Sequence, residues 1–260
     1  MVVLAAAAIV TGAIITSMQV AARQTQSAVP LISQTLHRTL SIALTLLSLG
    51  VAIWISRIPG WLRIVGWSAV AILVIDAALG WQTLSANVAM HHALLAHIFF
   101  SLAVISAVGT STSWNSPPER VDGSSKPFLR PLSVVIPPIV FLQITLGAAY
   151  RHDLTTVMPH MAIAMGVAFL ALIGASVVLQ NFPRPPALRL SAVAFISLVL
   201  TQVCLGIGAF VMLVLNAAGS FYFVAVTVGH VLIGASTLAA SIVMAMQVWR
   251  CVLPRGRAAS

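Results

Sequence analysis

Long apolar runs alternate with short polar segments along the whole chain. Eight of these runs are long enough to cross a hydrocarbon layer of about 30 Å at about 1.5 Å of rise per helical residue. They cover residues 2–22, 36–55, 62–83, 91–110, 131–150, 157–179, 187–213 and 221–249. The pattern therefore predicts eight membrane-spanning helices.

Composition strengthens this prediction. Hydrophobic residues make up 60% of the 260 residues and charged residues only 7%, and the mean hydropathy is +1.07. A water-soluble domain could hardly carry that composition on its surface. The first apolar run lacks the basic segment that opens a signal peptide, so we interpret it as a helix. The predicted fold class is an all-α integral membrane protein.

The basic residues predict the orientation. With a cytoplasmic N-terminus, ten Lys and Arg residues fall inside and three fall outside, which satisfies the positive-inside rule. The inside residues are Arg57, Arg63, Arg120, Lys126, Arg130, Arg184, Arg189, Arg250, Arg255 and Arg257, and the outside residues are Arg23, Arg38 and Arg151. Both termini are then cytoplasmic. The net charge of +9 follows from this bias, and because the basic residues are scattered over short loops, nucleic acid is not an expected partner.

The two cysteines exclude several kinds of site. Cys204 lies in the seventh predicted helix and Cys251 lies near the cytoplasmic end of the chain, so a disulfide between them is not expected. They form no CxxC or CxxCH pattern. This argues against a zinc finger, a thioredoxin-like site and covalent c-type heme.

Residues 111–130 differ from the rest of the chain. They are rich in Ser, Pro and Gly, which predicts a flexible cytoplasmic linker. The linker separates an N-terminal half, residues 1–110, from a C-terminal half, residues 131–260, with four predicted helices in each. Four crossings return the chain to its starting side, so the halves are predicted to be parallel bundles related by a pseudo-twofold axis along the membrane normal.

A short element that ends in glycine recurs near the outer end of the odd-numbered helices. It reads Ala8-Ile9-Val10-Thr11-Gly12, Asp76-Ala77-Ala78-Leu79-Gly80, Gln143-Ile144-Thr145-Leu146-Gly147 and Gln202-Val203-Cys204-Leu205-Gly206. Glycine permits close approach of another helix, and a polar side chain one turn earlier faces an interior rather than lipid. The alternative is ordinary packing of small residues at helix crossings. The predicted repeat unit is a helical hairpin used four times.

Each hairpin then supplies a histidine at the outer end of its even-numbered helix. These residues are His37, His92, His160 and His230. His92 is preferred in the fourth helix because MHHALLA, residues 90–96, aligns with MPHMAIA, residues 158–164. His91 and His97 remain alternatives to His92.

Four equivalent histidines point to metal-porphyrin ligation. Neutral imidazole is a common ligand of heme iron, and one histidine from each of two facing helices gives bis-axial ligation. Two halves then give two heme sites. Interhelical hydrogen bonding is the alternative role for these side chains. A proton relay is less favoured because Asp76 is the one carboxylate within a predicted helix, and a zinc hydrolase is less favoured because the chain has no HExxH.

The outer end of the fifth predicted helix carries a basic pair, Arg151 and His152. Arginine pairs well with planar carboxylates, so this pair is a candidate clamp for heme propionates. The alternative is a cluster that snorkels to the membrane interface.

The chain resembles the heme A synthase family over nearly its whole length. The resemblance rests on eight helices in two halves, a histidine in each even helix, and the segments LQITLGAAYRH, TQVCLG and GHVLIGA. It implies oxidation of the C8 methyl of heme O to the formyl of heme A for cytochrome oxidase. It also implies that His160 and His230 bind heme b, that His37 and His92 hold the substrate heme, and that Gln143 and Gln202 contribute to cofactor binding.

Two departures from the family pattern accompany this resemblance. Family members commonly carry a catalytic Glu three residues before the second-helix histidine, and this chain has Gln34 there. Many members also carry a cysteine pair after the first helix, and this chain does not. The alternative function is a non-catalytic b-type cytochrome, or a heme-handling or electron-transfer subunit.

The resemblance also carries expectations about surroundings. The implied location is the cytoplasmic membrane of a prokaryote, with the heme sites toward the outer face. The expected partners are the lipid bilayer, heme O synthase, and subunits of a terminal oxidase or respiratory chain, and an oligomer is compatible with them.

Overall fold

The computed structural model describes residues 1–25, 31–58, 60–81, 85–218 and 220–254, and the side chains of residues 20–25 and 31 are outside that description. Within these ranges the chain forms nine α-helices and two short strands. The helices are α1 Val2–Thr25, α2 Leu31–Ile55, α3 Trp61–Gly80, α4 Ala86–Gly109, α5 Thr112–Asn115, α6 Leu129–Arg151, α7 Val157–Asn181, α8 Pro186–Val214 and α9 Phe221–Cys251. The strands are β1 Val121–Asp122 and β2 Val252–Leu253.

The prediction of eight membrane spans is confirmed. Of the helices within the described ranges, all but the four-residue α5 are long and apolar enough to cross a membrane. A helix satisfies its backbone hydrogen bonds internally, which hydrocarbon requires. Large apolar side chains remain on the outside: Met165, Phe169 and Leu190 expose 71%, 65% and 70% of their surface. The chain is therefore an all-α membrane protein whose surface suits contact with lipid.

The first of two compact units comprises Met1–Ser106 and Thr201–Ala235. It contains α1 to α4, the second half of α8 and the first half of α9. Leu44, Ile55 and Phe99 are among its fully buried side chains. A Cβ on Gly66 of α3 would lie 3.5 Å from the Ala52 Cα, so α2 and α3 approach closely there.

The second unit comprises Ala107–Leu200 and Ser236–Ser260. Its core includes Leu129, Phe195 and Met244, all completely buried. Pro137 and Pro138 lie inside α6, where neighbouring side chains and helices can satisfy the backbone groups that proline frees. The predicted domain boundaries at residues 110 and 131 stay a prediction.

The segment between α4 and α6 is more ordered than its composition predicts. It contains α5 and β1, and β1 pairs in parallel with β2. The Arg250 guanidinium at the end of α9 donates to the carbonyls of Ser113, Trp114 and Ser116 and lies 4.6 Å from the Trp114 ring centroid. The expected flexible linker is instead held against the end of α9, through long-range contacts that local composition does not reveal.

The orientation in the membrane stays a prediction. Three of the basic residues used for it, the side chain of Arg23 together with Arg255 and Arg257, lie outside the described residues.

Candidate functional site

Each of the four glycines predicted to end the repeated element lies against the predicted ligand histidine of its own hairpin. The ring carbon Cε1 is the nearest atom to the position that a glycine Cβ would occupy. The distances are 3.2 Å for Gly12 and His37, 2.8 Å for Gly80 and His92, 2.9 Å for Gly147 and His160, and 3.1 Å for Gly206 and His230. All are shorter than ordinary van der Waals contact. The element therefore needs glycine because an imidazole fills the space of a side chain.

A backbone carbonyl four residues before the glycine meets the imidazole Nδ1 atom. The His92 Nδ1 atom lies 3.0 Å from the Asp76 carbonyl oxygen, and the His160 Nδ1 atom lies 3.1 Å from the Gln143 carbonyl oxygen. The Ala8 carbonyl also hydrogen-bonds His37. A carbonyl only accepts, so at His92 the Nδ1 atom carries the proton and the Nε2 lone pair is left for another partner. Metal-bound histidines use this arrangement to fix their tautomer and ring orientation.

The side chains beside these carbonyls differ among the hairpins. The Thr11 hydroxyl oxygen lies 3.0 Å from the His37 Nδ1 atom, and the Asp76 Oδ1 atom lies 2.8 Å from the His92 Nδ1 atom. The Gln143 amide nitrogen lies 2.9 Å from the His160 Nδ1 atom and donates to the His160 carbonyl at 2.8 Å. The polar residue of the element thus contacts its histidine in each of these hairpins.

The fourth hairpin, from α8 and α9, is a variation on this geometry. The Gln202 amide nitrogen lies 3.2 Å from the Nε2 atom of His230. The same nitrogen would lie 3.2 Å from a Cβ on Gly234. Gln202 therefore fits between the histidine and a second glycine one turn further along α9.

Two of the four histidines lie together in the first unit. The ring centroids of His37 and His92 are 6.1 Å apart, and their planes are inclined by 86°. Within the described part of the chain, the hydrogen bonds of both rings are made at Nδ1, and neither Nε2 atom has a partner. The structure therefore brings together two imidazoles with matching tautomers, each held from its own hairpin.

The other two histidines of α4 are placed differently. His91 is exposed and its Nδ1 atom lies 2.6 Å from the Asn87 carbonyl of its own helix. His97 is buried and its Nδ1 atom lies 2.7 Å from the Ala93 carbonyl, also of its own helix. His92 is the α4 histidine that lies against the glycine of α3 and beside His37.

The remaining predicted site residues lie near the ends of the hairpins. Gln34 is half-buried on α2, one turn before His37. Arg151 ends α6 and His152 follows as its C-cap, with the His152 backbone N–H donating to the Ala148 carbonyl. Both Arg151 and His152 are half-buried. They lie in the connection to α7, whose first turns carry His160.

Sequence reasoning missed three features of the first unit. Asp76 was noted as a membrane carboxylate but not as a partner of His92, although its place in the element gave that signal. The Arg38 guanidinium lies 5.9 Å from the centroid of the Trp81 ring. Arg38 directly follows His37 in the sequence, and Trp81 directly follows Gly80. The hydroxyls of Ser17 and Thr227 lie 2.9 Å apart, and no local pattern announces a pair so distant in sequence.

No bare-metal site competes with these hairpins within the described residues, where no group of three or more His, Cys, Asp or Glu side chains converges. Paired imidazoles suffice when a macrocycle supplies the remaining ligands of the metal. Comparison of the chain with protein-family models, with curated proteins and with solved structures finds no match.

Proposed function

We propose that the chain is a heme-binding membrane protein in which His37 and His92 would hold one heme. The observation that carries this proposal is the separation of 6.1 Å between the two ring centroids. Two imidazoles that share one metal ion, each with a metal–nitrogen distance of about 2 Å, can have centroids roughly 6 Å apart. The spacing therefore leaves room for a metal between the two rings.

The donor set also fits a heme. Both rings are held through Nδ1, which leaves Nε2 as the ligating atom. Gly12 and Gly80 leave the space in which the rings lie. Arg38 at the edge of this hairpin pair is a suitable partner for a heme propionate, because guanidinium groups bind planar carboxylates through two hydrogen bonds.

The repeat extends the proposal to a second heme. His160 and His230 each lie against the glycine of their own hairpin, as His37 and His92 do. We assign them as ligands of a heme b, with Gln143 beside the His160 ring, Gln202 beside the His230 ring, and Arg151 and His152 near the propionates. The Gln202 amide lies 3.2 Å from the His230 Nε2 atom, so it would have to move for that atom to bind iron. The four hairpins would then form two parallel four-helix bundles related by a pseudo-twofold axis.

The reaction we propose is that of the heme A synthase type, oxidation of the C8 methyl of heme O to a formyl group. The bound hemes would supply the redox chemistry of that reaction. The chain's own residues bind and orient them: His37 and His92 hold the substrate heme, and the surrounding apolar helices keep bulk water away. Gln34 lies on the same face of α2 as His37, because residues three apart on a helix are neighbours.

Gln34 also supports the alternative function. A carboxamide cannot accept a proton as a general base. If the reaction requires a carboxylate at this position, the chain is a non-catalytic b-type cytochrome, or a heme-handling or electron-transfer subunit of the same fold.

The first experiment tests ligation. Purified protein should show the reduced-minus-oxidised spectrum of low-spin heme, and the extracted hemes identify their type. His37→Ala and His92→Ala should each remove or convert a low-spin signal, while His91→Ala, the matched control on α4, should leave it intact. Variants of His37 and His92 that retain full low-spin heme would refute the assignment.

The second experiment tests catalysis. The protein is incubated with heme O, oxygen and a reductant, and the extracted hemes are analysed for hydroxylated and formyl products. Gln34→Glu serves as the comparison. Product from the wild type supports the enzyme, product from Gln34→Glu alone supports the non-catalytic alternative, and product from neither refutes the oxidation of heme O.

The proposed location is the cytoplasmic membrane of a prokaryote, with both termini cytoplasmic and the heme sites in the outer half of the bilayer. The proposed partners are heme O synthase and subunits of a terminal oxidase or respiratory chain. A single cysteine introduced at Ser124, with both native cysteines replaced, tests the orientation. Labelling of this cysteine by an impermeant reagent from outside the cell would reverse it.

A further inference from the structure

The four hairpins share the contact between glycine and imidazole but offer their histidines different polar neighbours. Within the described helices, the residue beside the imidazole is ionisable in one hairpin, where it is Asp76 of α3. The side chains that contact the histidines of the other three hairpins, Thr11, Gln143 and Gln202, are all neutral. The difference is a formal charge, set by one side chain.

Asp76 makes a double contact with His92. Its backbone carbonyl lies 3.0 Å from the His92 Nδ1 atom, and its carboxylate oxygen Oδ1 lies 2.8 Å from the same atom. The side chain is buried, with the residue 7% exposed. A carboxylate inside a membrane protein is costly unless it has a partner. His92 is that partner, so this contact accounts for the buried carboxylate in the first unit.

A carboxylate that lies beside the Nδ1–H group changes the imidazole as a ligand. It fixes the tautomer that presents Nε2, and it increases the electron density that the ring donates to a metal. Its negative charge also favours the more oxidised and more positive state of that metal. Because the surroundings are apolar, this attraction is screened far less than in water.

We propose that Asp76 is a positioning residue that lowers the reduction potential of the heme held by His37 and His92, relative to the same site without this negative charge. This inference rests on the proposed heme ligation. It makes ferric heme the favoured state at this site.

A redox titration of the purified protein with bound heme tests this proposal. The measurement is made in a His160→Ala background, so that the centre of His37 and His92 alone gives the low-spin signal. Asp76→Asn keeps the shape of the side chain and removes its charge. We expect the ratio of reduced to oxidised heme at a fixed potential to rise at least tenfold, which corresponds to about 59 mV for a one-electron couple. Asp76→Glu should restore a low potential.

The α6–α7 hairpin allows the opposite test, in which a negative charge is added beside a histidine. Gln143 occupies the same place before Gly147 that Asp76 occupies before Gly80. Gln143→Asp, in a His92→Ala background, should lower the potential of the heme bound through His160 by a comparable factor. This variant decides the question even if Asp76→Asn fails to retain heme.

The outcomes separate two kinds of failure. If wild-type protein carries no low-spin heme that depends on His37 and His92, the proposed function fails. If the heme is present but Asp76→Asn leaves its midpoint potential unchanged, the inference fails and Asp76 is only a helix-packing residue. If Asp76→Asn carries no heme and Gln143→Asp shifts no potential, the inference also fails.

Discussion

Adding one methyl group at Gly80 tests the site most directly. In Gly80→Ala the new Cβ would lie 2.8 Å from the His92 Cε1 atom, where ordinary contact begins at 3.4 Å. The ring must therefore move by about 0.6 Å, the difference of these distances, which exceeds the roughly 0.5 Å within which a functional site has to hold its groups. In Gly12→Ala the new Cβ would lie 3.2 Å from the His37 Cε1 atom. That ring needs to move by only about 0.2 Å, which stays within the same tolerance.

The energetic size of the change follows from packing. Overfilling a well-packed site costs about 1–3 kcal/mol, and alanine regains about 1 kcal/mol over glycine through helix propensity. Gly166 of α7 is the matched control, because a Cβ there has no atom within 4 Å among the described residues. Gly166→Ala should therefore be neutral or stabilising, and Gly80→Ala should be less stable than it by about 1–3 kcal/mol.

The assay is thermal unfolding in detergent together with the heme spectrum. A difference of 1 kcal/mol moves the midpoint by about 2–4 °C in a protein of this size class. Gly80→Ala should unfold earlier than Gly166→Ala. It should also lose the low-spin signal of the proposed heme that His37 and His92 hold together, whereas Gly12→Ala should keep that signal. Equal midpoints and equal heme content for Gly80→Ala and Gly166→Ala would show that His92 does not lie against this glycine.

Three further predictions concern other contacts. A double-mutant cycle with Ser17→Ala and Thr227→Ala should give a coupling of about 0.6 kcal/mol in thermal unfolding, the average for hydrogen bonds between membrane helices, and no coupling would exclude their bond. Arg250→Gln should raise the rate of protease cleavage in the α4–α6 connection, because the guanidinium holds three of its carbonyls; an unchanged rate in purified protein would contradict this. Hydrogen bonds from Ser124 lower the pKa of Asp122 below its usual value of 3.8. These bonds therefore stabilise the folded protein fully at pH values above 3.8, and this stabilisation is lost as the pH falls through the lowered pKa of the folded state. Ser124→Ala should raise the pKa of Asp122 in a carboxyl NMR titration, and a pKa that does not rise would argue against these bonds.

The membrane spans could be predicted because length and apolarity decide them locally. Each run of about twenty apolar residues becomes a helix in hydrocarbon, since no other spanning backbone satisfies its own hydrogen bonds. All eight runs correspond to helices, although α9 extends to Cys251 and α1 to Thr25, beyond the predicted ends at residues 249 and 22. The ends are less predictable because a helix continues into polar residues at no great cost.

The contacts within the site were only partly accessible from the sequence. The glycine element and the following histidine are both visible as patterns, so their pairing within a hairpin could be anticipated. The contact of Asp76 with His92 depends on the rotation of α3 about its axis, which hydropathy does not determine. The Arg250 contacts depend on residues more than 130 positions apart in the chain, and no spacing rule covers them.

In the α3–α4 and α6–α7 hairpins, the glycine sets the position of the imidazole and the residue four positions before it sets its polar surroundings. Glycine decides where the imidazole can lie, and it does so by having no side chain. The residue four positions earlier decides which side chain the imidazole contacts. This residue is Asp76 in one hairpin and Gln143 in the other, and the ring lies at nearly the same distance from the facing glycine and carbonyl in both. A single substitution at that one position would therefore change the polar surroundings of a histidine without altering the helix packing. If the proposed heme ligation holds, the redox character of the hairpin would be adjustable independently of its shape.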